Sequence, residues 1–398
     1  MSKISARVSG LSESVTLAID AKAKQMMADG IDVVNFAAGE PDFDTPTQVK
    51  EAAKAALDSG KTKYVASGGL PQLKQAIIEK LQKDNKLEYK PGQILVSTGA
   101  KHSLFNTILT IVDRGDQVLI PAPFWVSYYD MVRAAEGVPV ILPTTAESGF
   151  KVSPKQIEES ITPRTVAIII NSPSNPTGAV YNEQELRAIA EVVLKHNLIC
   201  ISDEIYEKLM YGGTKHFSIA SVSPEMKDHT IVINGFSKAF SMTGWRLGYA
   251  AGPAQIISEM NKLQSHSTSN ATTFSQWGGV EALKSTDADV KKMRAAFDER
   301  RQALVTALRA IPEVQCNMPD GAFYAFPDFS AYHGRSFEGK PVANSMQLAE
   351  YILVNGRTSI VPGAAFGADN HQRFSYATSM EKINTGVQRI GEALSKLK

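Results

Sequence analysis

An α/β fold is predicted, with a large domain on a mostly parallel seven-stranded sheet flanked by helices and a smaller α+β domain beside it. Three observations point there. Short apolar, β-prone runs alternate with longer amphipathic segments through the middle of the chain. Near Asp287 the texture changes to one long charged segment followed by short mixed pieces. The composition, 43% apolar and 21% charged, is that of a globular protein rather than a disordered one.

Strands are expected at Ile94–Ser97, Val118–Pro121, Val138–Leu142, Val166–Ile170, Leu198–Ser202, Thr230–Asn234 and Leu247–Ala251. Most are short runs of Val, Ile and Leu between turn-forming residues. Helical spacing of apolar residues places helices at Ser103–Val112, Val126–Ala135, Glu183–His196 and Ala254–Leu263. A connecting helix is expected from Asp289 to Arg309. Strand-like pieces at Gly321–Phe326, Thr358–Val361 and Arg373–Ala377 follow it, with helices at Asn344–Val354 and Met380–Lys396. The 398 residues suit two domains. The expected division is 1–45 as an N-terminal segment joining the small domain, 46–286 as the large domain and 287–398 as the small one.

Net charge is +1, from 42 basic and 41 acidic residues, so no broad field favours nucleic acid or an acidic membrane surface. Any anion must be caught by local groups. No apolar run approaches the ~18–20 residues that span a bilayer. Cys200, in Leu198-Ile199-Cys200-Ile201, reads as a buried structural thiol, and neither it nor Cys316 has the spacing of a metal site. The segment Met1–Arg7 lacks the apolar core of a signal peptide, and a cytoplasmic location is expected.

Sheets of this kind bind ligands beyond the carboxyl ends of their strands. Gly99, Ala100 and Lys101 follow the first expected strand, Asn175 the fourth, Asp203 and Tyr206 the fifth, and Lys238 the sixth. Four separate segments therefore face one crevice. Lys238 stands in Ser237-Lys238-Ala239-Phe240-Ser241-Met242-Thr243-Gly244-Trp245-Arg246. Its amine can condense with an aldehyde cofactor, and the planar fork of Arg246 suits a phosphate. In Ser97-Thr98-Gly99-Ala100-Lys101 small residues let backbone N–H groups and a helix N-terminus approach an anion. No glycine fingerprint of a dinucleotide or ATP loop is present.

This constellation resembles the fold-type I aminotransferases that depend on pyridoxal 5′-phosphate (PLP), and within them the aspartate aminotransferase branch. The resemblance runs from about Leu11 to the C-terminus. It implies that Lys238 carries PLP and then moves the substrate's Cα proton. It implies that Asp203 holds the ring nitrogen's proton, that Tyr206 and Asn175 bond the ring's 3′-oxygen, and that Trp125 stacks on the ring. Arg246, Ser237, Gly99, Ala100 and the Thr98 backbone would hold the phosphate. Tyr64 would reach the phosphate of a neighbouring subunit, making a homodimer with shared sites.

For the substrate, the resemblance assigns the α-carboxylate to Arg373 and the Gly39 backbone. It assigns a distal carboxylate to Lys101 with Ser14 and Thr16, although Lys101 equally suits a solvated position on the first turn of a helix. Tyr128 and Phe366 are expected to line the pocket. The implied reaction is reversible transamination between L-aspartate and 2-oxoglutarate. Relatives that also accept prephenate carry a lysine where this chain has Ser12. Aromatic-amino-acid, alanine or prephenate transamination remains an alternative, as does a PLP lyase or synthase such as an aminocyclopropane-carboxylate synthase. A PLP-fold transcriptional regulator would need a basic helix-turn-helix segment that this sequence lacks.

Overall fold

The protein is described by a computed structural model that covers residues 3–11 and 15–398. A short strand, β1 (Val34–Asn35), precedes the main sheet. All seven expected strands then form: β2 (Ile94–Ser97), β3 (Gln117–Ala122), β4 (Val138–Pro143), β5 (Thr165–Asn171), β6 (Ile199–Asp203), β7 (Thr230–Gly235) and β8 (Gly248–Ala251). They make one sheet in the order β2-β8-β7-β6-β5-β3-β4. Neighbours run parallel except around β8, which is antiparallel to both β2 and β7.

Alternation along each strand builds two cores. Val118, Ile120, Ile169, Ile201 and Ile231 pack on one face with Leu104 and Ile108 of the helix Ala100–Ile111. Leu119, Ile168, Ile170 and Cys200 pack on the other with Leu186, Ile189 and Val193 of the helix Glu183–Lys195. That second helix starts at a reciprocal cap, in which Asn182 accepts from the Glu185 N–H and Glu185 from the Asn182 N–H. Both cysteines are free and buried, and burial pushes both thiols up.

The connecting helix spans Asp287–Arg309 and packs on the helix Met380–Leu394. Phe297, Leu304, Phe323, Phe374 and Ile390 lie in a third core that also includes Ile205 and Tyr206, just past β6. Over it lies a three-stranded antiparallel sheet whose central strand, Gln372–Ser375, pairs with Val361–Pro362 and with β9 (Tyr324–Ala325). The strand expected over Thr358–Val361 is divided at Ile360. Thr358–Ser359 pairs in parallel with β1, and the chain then crosses to pair with Gln372–Ser375. The longer helices at Val15–Ala28, Thr47–Asp58, Pro71–Lys80 and Thr273–Ser285 are among those the strand pattern left unassigned.

Both edges of the main sheet are closed. In β4, Pro139 and Pro143 withhold backbone donors. Beside β2, the Val96 N–H donates to Gly68 O at 3.1 Å, and Gln264 Nε2 donates to Val96 O at 2.9 Å. Gln264 is fully buried and satisfied, donating also to Ser67 O and accepting from Ser97 Oγ and Asn106 Nδ2. Gln264→Leu keeps an apolar side chain of similar bulk but removes the amide and orphans several of these groups. It should destabilise the protein by about 3 kcal/mol or more, read as a lowered urea midpoint with an unchanged slope.

Candidate active site

The antiparallel insertion of β8 explains how Arg246 joins the other groups. Parallel strands end at one rim of the sheet, and an antiparallel strand begins there. In register, Gly248 faces Ser97 on one side and Gly235 on the other. Arg246, two residues earlier, therefore falls between the turn after β2 and the Lys238 loop after β7. The approach is close: a Cβ on Gly248 would lie 2.3 Å from Ala100 N. Gly99 adopts a φ of +85°, and a Cβ there would lie 2.5 Å from Arg246 Nη2. Arg246 Nη1 donates to Thr243 O at 2.9 Å.

Below this rim opens a cavity of about 510 Å³. Ala100, Lys101, Trp125, Asn175, Asp203 and Tyr206 line it, and so do Ser237, Lys238, Arg246, Gly39 and Arg373. The chain thus brings together most of the residues singled out from the sequence. Lys238 Nζ donates to Gly39 O and lies 5.8 Å from the centre of the Tyr206 ring. Burial, assisted by Arg373 and Arg246, lowers its amine to about 8 against the opposing pull of Glu40 and Asp203.

Asp203 is buried at the end of β6. Desolvation raises its carboxyl to about 6, while a 2.6 Å hydrogen bond from the Tyr128 hydroxyl and one from the Ile205 N–H act the other way. The next residue points elsewhere. Glu204 accepts from Ser202 Oγ and Ser218 Oγ and pairs with His216 at 2.9 Å. Glu204, Glu207 and His216 cluster closely, but Lys80 already pairs with Glu207 and protein donors already serve Glu204.

Arg373 is buried, donating from Nη1 to Asn175 Oδ1 at 3.2 Å and from Nη2 to Ala37 O at 2.7 Å. Its Nε is fully buried and finds no partner among the described residues. The guanidinium lies 4.6 Å over the Tyr324 ring and 5.2 Å from that of Phe366. Asn175 is held from behind, its N–H donating to Asn171 Oδ1, while Asn171 Nδ2 donates to Asp203 O. Lys101 Nζ sits 4.8 Å over the Trp125 ring, and burial, then Arg246, lowers its amine.

Other expectations meet a different outcome. Phe366 does not line the cavity. It is fully buried behind Arg373, where the aromatic core around Phe326 takes it up. Tyr64 is 90% exposed and stands away from its own chain's cavity. Ser12 and Ser14 lie outside the described residues. Thr16 is in the helix Val15–Ala28, but its side chain is likewise outside the description.

Three residues escaped notice or were undervalued. Tyr128, foreseen only as pocket wall, bonds Asp203. Asn171 braces Asn175, and Tyr324 meets the Tyr206 hydroxyl at 3.0 Å. Asn171 closes the β5 run just before Ser172-Pro173, a position that could have flagged it. Asp20, Lys24 and Glu40 also line the cavity, with Asp20 bonded to Lys24 and Asn35.

Residues 31–390 match the family model for aminotransferase class I and II. The chain is 50% identical to the aspartate aminotransferase of Bacillus sp. (strain YM-2), across 96% of this chain and 97% of that one. It is 45% identical to the aspartate/prephenate aminotransferase of Nitrosomonas europaea, across 99% and 100% respectively. The crystal structure of the aspartate aminotransferase from Rhizobium meliloti superposes over the full length of both chains, with a TM-score of 0.97 at 40% identity. With a rim that gathers a half-buried amine, a buried carboxylate and two guanidiniums, and with likeness across almost its whole length, the chain belongs to the class I and II aminotransferase family and is a transaminase.

Proposed function

We propose that this transaminase exchanges the amino group of L-aspartate with 2-oxoglutarate, giving oxaloacetate and L-glutamate, and that PLP is its cofactor. The observation that carries this is one cavity holding a half-buried amine lowered to about 8, a buried carboxylate and guanidiniums from two different segments. The donor set fits PLP. The Gly99–Ala100 turn with Arg246 and Ser237 suits the phosphate, Asp203 the ring nitrogen, Tyr206 and Asn175 the 3′-oxygen, and Trp125 the ring face. When bound, PLP supplies the electron sink that lets a proton leave the substrate's Cα.

The chain's own groups do the rest. Asp203, at about 6, is largely ionised at neutral pH and pairs with a protonated nitrogen. Lys238, as a free amine, takes the proton from Cα. Arg373 lines the cavity and meets the α-carboxylate, with the Gly39 backbone beside it. Lys101, with Ser14 and Thr16, receives the distal carboxylate and thereby prefers a dicarboxylic amino acid. Prephenate as a further acceptor is favoured by the Nitrosomonas relative, whose name includes it.

The working unit in this proposal is a homodimer with shared sites, a reading supported by the exposure of Tyr64 outside its own chain's cavity. The domain division is 1–45, 46–286 and 287–398. Among the described residues no helix is long and apolar enough to cross a membrane. Two buried free thiols suit a reducing compartment, and we place the protein in the cytoplasm.

Three outcomes check these roles. Lys238→Ala should keep its thermal midpoint but lose about a thousandfold or more in turnover. Mass spectrometry after borohydride reduction should find no PLP on the variant, and full activity would refute the role. Lys101→Ala should lower kcat/KM for aspartate at least about tenfold while changing that for phenylalanine less than about twofold. Equal losses on both substrates would remove Lys101 from substrate selection. Because the amine of Lys238 is lowered, its reactive deprotonated fraction grows as pH rises and saturates early. PLP uptake by the apoprotein should therefore quicken about tenfold per pH unit below 8 and level off above it. A rate still climbing steeply beyond pH 9 would contradict the lowered amine.

A further inference from the structure

Tyr324 touches the site at three points, yet it comes from a strand remote in sequence from the PLP groups. Its hydroxyl lies 3.0 Å from that of Tyr206. Its ring carries the Arg373 guanidinium at 4.6 Å. A Cβ on Gly39 would meet the same hydroxyl at 3.5 Å. Pairing of Ser375 with Tyr324 fixes the backbone, and edge-on packing against Tyr206, with centroids 5.8 Å apart, holds the ring. Both tyrosines are buried.

Two hydroxyls at this distance share one hydrogen bond, and its direction matters. If Tyr206 donates to Tyr324, Tyr206 has no proton left for a ligand. If Tyr324 donates, the Tyr206 proton is released toward the cavity. The charged groups around the pair favour the second arrangement. Burial raises both phenols and Arg373 lowers both, but Asp203 raises that of Tyr206 alone, and the Arg373 guanidinium lies directly over the Tyr324 ring at 4.6 Å. Lys238 faces the Tyr206 ring, and no carboxylate bonds either hydroxyl among the described residues. The more acidic phenol of a neutral pair is the better donor.

We propose that Tyr324 is a positioning residue for transamination: its phenol donates to the Tyr206 hydroxyl and so aims the Tyr206 proton at the 3′-oxygen of the cofactor. This rests on the PLP assignment above. Through the same ring it also couples that proton to Arg373, which receives the substrate.

Tyr324→Phe tests it, because the ring stays against Arg373 and Tyr206 and only the oxygen is lost. A donor to the 3′-oxygen stabilises the form of the bound chromophore that has lost a proton. In the PLP-loaded variant the pH midpoint of the visible band should therefore move up by about half a unit. PLP should bind the apoprotein about twofold more weakly. The turnover number should fall severalfold while KM for aspartate stays within about twofold. In a Tyr206→Phe background the same change should leave the midpoint unmoved. A midpoint unaffected by Tyr324→Phe, or an equal shift in both backgrounds, overturns the inference. A wild-type chain that takes up no PLP sinks the cofactor assignment itself. A wild-type band that responds to Tyr206→Phe but not to Tyr324→Phe sinks this inference alone.

Discussion

The lack of a side chain at position 248 is the constraint on which the site rests. With any Cβ there, the turn after β2 and the start of β8 would collide at 2.3 Å. Because they do not collide, an antiparallel strand lies between two that run the other way. A guanidinium that would otherwise sit at the far end of the sheet is delivered to the rim where the parallel strands end. The lysine loop, the small-residue turn and Arg246 become neighbours through backbone geometry alone, before any side-chain interaction is counted.

Around that rim the protein holds charges where water is scarce. An amine and a carboxylate are both displaced toward neutrality by burial, the first to about 8 and the second to about 6. Leaving either unpaired is costly, and neither is left so: Gly39 O takes the ammonium, and Tyr128 with the Ile205 N–H takes the carboxylate. The displacement is the useful part. An ordinary lysine would be almost wholly protonated at neutral pH, whereas this one gives up its proton within reach of physiological conditions.

Much of this was legible in the sequence. Strands buried on both faces read as unbroken apolar runs, so all seven were found with ends shifted by a residue or so. Residues placed just beyond those ends converged for the same topological reason. What escaped depends on contacts between distant segments. Thr273–Ser285 is a helix despite Gly278-Gly279 in its middle, because the Trp245 ring and Leu247 pack where side chains would stand. Tyr324 sits in an apolar stretch with nothing to mark its hydroxyl, and only pairing with the Arg373 strand brings it to Tyr206. Phe366 was misjudged for a related reason. A large aromatic near an arginine suits a pocket wall or its backing equally well, and packing decides.

The closed borders of the main sheet also limit how copies of this chain meet. With prolines along β4 and an amide capping β2, a second molecule would meet an interrupted ladder of donors and acceptors at either edge. Any contact between copies would use helices and loops instead.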